Sequence, residues 1–78
     1  MNVFTNDEEW VIAKDVKDVE AVLKEGGHGS DPEQFYPCVQ GVSFTFRHGD
    51  GRKETKTFAA WAAERGRGYF AASADVAA

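Results

Sequence analysis

Cys38 lies ten residues from His28 on one side and ten from His48 on the other. A thiol and an imidazole can act as nucleophile and base when a fold brings them together. Here no local signature accompanies the cysteine, so a bystander thiol is the expectation. Zinc asks for ligands in short-range pairs such as C-x-x-C, and this ten-residue spacing supplies none, so no metal site is expected. Glu8-Glu9 is a pair of adjacent acids. Acid–base catalysis needs a walled pocket that drives two pKa values apart, and 78 residues leave little wall. Gly26-Gly27-His28-Gly29 has the look of a phosphate cradle. It follows an expected helix instead of preceding one, so no helix N-terminus points at an anion. No catalytic, cofactor or metal residues are therefore assigned, and the chain reads as a non-enzyme.

Charged surfaces are the better lead. Residues 1–39 hold nine acids and three bases, and residues 40–78 hold four acids and six bases. The chain as a whole carries −4. A nucleic-acid binder should be basic, so no direct nucleic-acid contact is expected. Arg67-Gly68-Tyr69-Phe70-Ala71 partly echoes the aromatic strand of an RNA-recognition domain. The echo fails because Phe70 stands where a small residue belongs. Arg47, Arg52, Lys53 and Lys56 gather on an expected hairpin, and nucleic-acid contact through that hairpin is the rival reading. Asp7, Glu8, Glu9, Asp31 and Glu33 all fall in expected loops or element starts. Carboxylates converging from loops steer a protein towards a basic partner surface, so these five are the candidate partner-binding residues.

The elements that must position them follow from pattern and punctuation. Trp10-Val11-Ile12-Ala13 reads as a buried strand. Residues 1–5 are apolar enough to pair, yet the pattern does not decide it. Asp15 is a helix cap, with Val16, Val19, Val22 and Leu23 on one face and Gly26-Gly27 as the stop. Ser30-Asp31-Pro32-Glu33 starts a short helix that Pro37 ends. Val42, Phe44 and Phe46 alternate with Ser43, Thr45 and Arg47 in a half-buried strand, and Asp50-Gly51 signals a two-residue hairpin turn into residues 52–56. Thr57 caps a second helix, residues 58–65, which Gly66 stops. Residues 68–73 make a last strand, with Phe70 and Ala72 on one face and Tyr69 and Ala71 on the other. Residues 75–78 are expected to fray.

Together these elements predict one domain over residues 1–78: an α+β fold with a small antiparallel sheet of three to four strands and two helices on one face. The expected core holds Trp10, Ile12, Val19, Leu23, Phe44, Phe46, Phe58, Trp61 and Phe70. One cysteine excludes an internal disulfide and suits a reducing cytoplasm. There is no long apolar run for a membrane span, and residues 1–9 lack signal-peptide features. So thin a core leaves room for a homodimer, through an open sheet edge or through Cys38.

Two blocks carry a resemblance. One is Glu9-Trp10-Val11-Ile12-Ala13-Lys14-Asp15. The other comprises Thr55-Lys56-Thr57, Trp61-Ala62-Ala63 and Gly66-Arg67-Gly68-Tyr69-Phe70. Together they resemble small proteins encoded in phage and prophage genomes. Relatives of that kind carry cysteines at the start of the second helix and in the last strand. Here Phe58 and Ala71 or Ala72 stand there, which removes any cysteine-based role at those sites. In size, acidity and lack of enzyme chemistry the chain is similar to the anti-CRISPR inhibitors among such proteins. The resemblance implies a partner in the host cytoplasm: a CRISPR effector complex of type I, met at its basic DNA-binding surface so that target DNA is blocked.

Overall fold

A strand with apolar side chains on both faces needs cover on both. Residues 10–13 form such a strand, and the computed structural model, which describes residues 1–77, covers it twice. Strand β2 (Glu9–Ala13) lies between β1 (Asn2–Thr5) and β6 (Gly68–Ala72) in a four-stranded antiparallel sheet. The two-residue β3 (Tyr36–Pro37) extends the sheet beyond β1. Residues 1–5, undecided by pattern, thus supply an interior strand, with Val3 opposite Ile12 and Phe4 opposite Val11.

Two core clusters lie back to back across the sheet. On one face Phe4, Val11 and Ala13 pack with Phe35 and with Val19, Val22 and Leu23 of α1 (Val16–Glu25). On the other, Val3, Ile12 and Phe70 pack with Phe58, Trp61 and Ala62 of α2 (Phe58–Arg65) and with Phe44 of β4 (Ser43–Arg47). The α+β class, the antiparallel sheet and the two helices are as expected. The helices do not share a face, however, because β2 buries both of its own. Stacking both on one side would leave either Val11 and Ala13 or Trp10 and Ile12 in water.

Strands β4 and β5 (Lys53–Thr57) form a separate two-stranded ribbon on the α2 side. Its connection is not the expected two-residue turn. The His48 N–H donates to the Arg52 carbonyl and the Gly51 N–H to the His48 carbonyl, and Gly51 alone takes a positive φ, 87°. That is a three-residue loop with a left-handed glycine at its end.

Both expected caps form. The Asp15 carboxylate accepts from the Asp18 N–H at 2.8 Å, and the Thr57 hydroxyl accepts from the Ala60 N–H at 3.2 Å. Of the expected core, Ile12, Val19, Leu23, Phe44, Phe58, Trp61 and Phe70 are buried, while Trp10 and Phe46 are partly exposed at the rim. Val16 turns out to be half exposed.

Strand β6 departs from simple alternation. Trp10 faces Ala71 and Val11 faces Tyr69, so Phe70 is an unpaired bulge residue. The bulge sends Phe70 and Ala71 together into the α2-side cluster and leaves Tyr69 for the α1 side. The chain then docks instead of fraying. Val76 bridges Phe46, the Ala77 N–H donates to the Thr45 carbonyl at 3.0 Å, and Ala77 is buried. Ala78, included in the expected fraying, lies outside the described residues.

Candidate functional site

The turn between β1 and β2 is braced by its own side chains. Asp7 adopts φ 75°, a left-handed conformation, and its N–H donates to the Thr5 hydroxyl at 2.9 Å. The Asn6 side-chain oxygen accepts from the N–H groups of Glu8 at 3.0 Å and Glu9 at 2.7 Å. These local bonds fix the direction in which the turn acids leave the sheet.

Residues 30–36 come alongside this turn. Asp31 caps a 3₁₀ turn, Pro32–Gln34, by accepting from the Glu33 N–H at 2.9 Å. Phe35 anchors the segment in the α1-side cluster. Two side-chain ties join segment and turn: the Ser30 hydroxyl donates to the Glu9 carboxylate, and the Tyr36 hydroxyl donates to the Asp7 carboxylate. The two ties make a corner of the turn acids Asp7, Glu8 and Glu9 and the segment start at Ser30-Asp31, while Glu33 lines the groove against Val16, Lys17 and Glu20 of α1.

These acids are not equivalent. Asp7, Glu8, Asp31 and Glu33 are exposed. Glu9 is half-buried and spends its carboxylate internally, accepting from Ser30, from the Tyr69 hydroxyl at 2.9 Å and from Asn6 at 3.2 Å. The Ser30 hydrogen bond leads in holding its carboxyl below the usual range. In turn Tyr69, pushed up to about 12 by burial and then by Glu9, carries the His28 ring stacked on it at 3.7 Å. Glu9 is thus a brace for the corner, where the sequence pattern had grouped it with Asp7 and Glu8 as a partner-binding acid.

Cys38 is half-buried at the edge of the α2-side cluster, and burial pushes its thiol up to about 11. Among the described residues no hydrogen bond joins it to either histidine; His48 instead meets Glu54 at 2.9 Å. Nor do three or more His, Cys, Asp or Glu side chains stand together as metal ligands among the described residues. An open groove of about 320 Å³ runs between α1 and the 3₁₀ turn, lined by Val16, Lys17, Glu20, Pro32 and Glu33. No helix is long and apolar enough to cross a membrane among the described residues.

The cations behave differently from one another. Lys56 is held between Glu54 and Glu64 and lies over the Trp61 ring. Arg67, unremarked as a charge by the sequence pattern, grips Asp18 and Glu25, with two bonds to each at 2.8–2.9 Å. This clamp fastens both ends of α1 to the entry of β6.

The class so defined is a small α+β domain, a four-stranded antiparallel sheet with a helix on each face and a ribbon beside one of them. Set against protein-family models, curated proteins and solved structures, the chain gives no match.

Proposed function

We propose that this protein is a non-enzymatic inhibitor of the anti-CRISPR kind, working in the host cytoplasm by presenting its acidic corner to the basic DNA-recognising surface of a type I surveillance complex. The observation that carries the reading is the pair of ties, Ser30 to Glu9 and Tyr36 to Asp7, which hold the segment that bears Asp31 and Glu33 against the turn that bears Asp7 and Glu8. Preorganised charge of one sign raises the rate of encounter with a surface of the other sign. The resemblance of the tryptophan strand and of the Trp61 helix to small phage proteins supplies the kind of partner.

The test is binding kinetics against the purified complex. Reversing the exposed acids, Glu8→Lys with Asp31→Lys, should slow association by about tenfold or more at low salt. Reversing Arg52 and Lys53 on the hairpin should change it far less. Equal effects, or a larger one from the hairpin, would remove the acidic corner from the function.

A further inference from the structure

The cations of the β4–β5 ribbon divide by face. Phe44 and Phe46 turn inward to the α2-side cluster, and Lys56 on the same side is neutralised by Glu54 and Glu64. The outer face bears Ser43, Thr45 and Arg47 from β4 opposite Thr57, Thr55 and Lys53 from β5. The Thr45 and Thr55 hydroxyls meet at 2.8 Å. Arg47 and Lys53 stand directly opposite each other and are exposed. Like charges in that position destabilise a strand pair. Carboxylates partner Lys24, Arg52, Lys56, Arg65 and Arg67, and none partners Arg47 or Lys53 among the described residues. Nothing in the fold uses this repulsion, and an anion placed across the two cations would relieve it.

We propose that the outer face of the β4–β5 ribbon is a contact surface for the phosphate backbone of duplex DNA. The cations Arg47 and Lys53 answer phosphate charge, and the threonine hydroxyls add neutral hydrogen-bonding groups. A two-stranded ribbon is a shape the major groove admits. Single strands are disfavoured because the face carries no aromatic ring on which unpaired bases would stack. Chain-wide acidity argued against nucleic acid, but the loop acid Asp50 pairs with Arg52, and among the described residues no carboxylate pairs with Arg47 or Lys53. The contact is weak and salt-sensitive: two phosphates imply a log–log salt slope of about −2. This inference goes beyond the inhibitor reading and does not depend on it.

The test uses the ¹⁵N-labelled full chain and a 12-base-pair duplex at about 20 mM salt, with no partner complex present. Amide shifts confined to β4 and β5, lost at about 200 mM salt and lost in Arg47→Gln/Lys53→Gln, are the expected result. The variant's own spectrum reports whether it is folded. No shifts, shifts that survive the double substitution, or equal binding of a single strand of the same length would overturn the proposal. Because no partner complex is present, failure here leaves the acidic-corner test standing, and the reverse also holds.

Discussion

Trp61 donates its indole N–H to the backbone carbonyl of Phe44 at 2.9 Å, and Trp61 is fully buried where it does so. This bond ties α2 to the ribbon within the α2-side cluster. Trp61→Phe removes the indole donor and leaves the Phe44 carbonyl to its ladder partner Lys56 alone, a loss of about 0.5–1.5 kcal/mol. Trp61→Ala adds a large cavity and should cost about 3–5 kcal/mol. Small domains hold only about 5–15 kcal/mol in total, so the alanine variant should be largely unfolded under mild denaturant. Urea midpoints check both values, and an unshifted midpoint for Trp61→Phe would count against the bond.

Acid should loosen the domain through its clamps. Arg67 holds the Asp18 carboxyl down at about 2, and Lys56 with His48 holds Glu54 at about 2. Both lie below the unfolded carboxylate values of about 4. Their stabilisation is therefore complete above those values and is lost as pH falls from about 5 towards 2. Arg67→Ala releases Asp18 and Glu25 and should make that acid limb shallower. Melting temperatures from neutral to acid pH, parent beside variant, decide it; superimposable acid limbs would show the clamp absent in solution.

The thiol of Cys38 should be sluggish. Its value of about 11, against an ordinary 9.0, lowers the thiolate fraction at neutral pH by about a hundredfold. Alkylation by iodoacetamide should run about two orders of magnitude slower on the folded chain than on the unfolded one. The sign for stability is opposite to that of the acids. The unfolded thiol ionises first, so stability falls as pH rises from about 9 towards 11. Rapid labelling of the native chain would place the sulfur outside the core.

The sheet edges are blunted. β3 is two residues long and contains Pro37. β6 carries the Phe70 bulge, and its Ala72 N–H is taken by the Asp75 carboxylate at 2.9 Å. Short, bulged, proline-bearing edges resist strand pairing. Light scattering should accordingly report a monomer with and without reductant, and Asp75→Ala should raise self-association. A dimer from the parent chain would restore the homodimer that so thin a core suggests.

Glu8 and Glu9 should part company on reversal to lysine. Glu8 is exposed, and among the described residues its side chain makes no hydrogen bond, so its reversal should stay within about 0.5 kcal/mol. Glu9 accepts from Ser30, Tyr69 and Asn6, so its reversal should cost on the order of 1 kcal/mol or more. Denaturation of the two single variants separates them.

Local signals were the readable ones. Asp15 and Thr57 announce their helices because a cap bonds only three residues along the chain. β1 stayed ambiguous because its two buried apolar residues, Val3 and Phe4, are too few to show a period. The division of the helices was legible in principle: an unbroken apolar run in β2 means two buried faces. The corner was legible only as a set of acids. What assembles it are bonds such as Tyr69 to Glu9 and Tyr36 to Asp7, made between residues 60 and 29 apart in sequence. Such pairings leave no periodic trace. Arg67 escaped notice for the same reason, since its carboxylates lie 49 and 42 residues away.

Because the sheet stands as a wall between its two clusters, the molecule has two interiors that hardly consult each other. A larger side chain admitted behind α1 presses on Phe4 and Val11, whose neighbours across the wall are other residues altogether. The corner is footed in one interior through Phe35 and the ribbon in the other through Phe44. A change beneath one surface therefore reaches the other only through the strands that both clusters share, β1, β2 and β6.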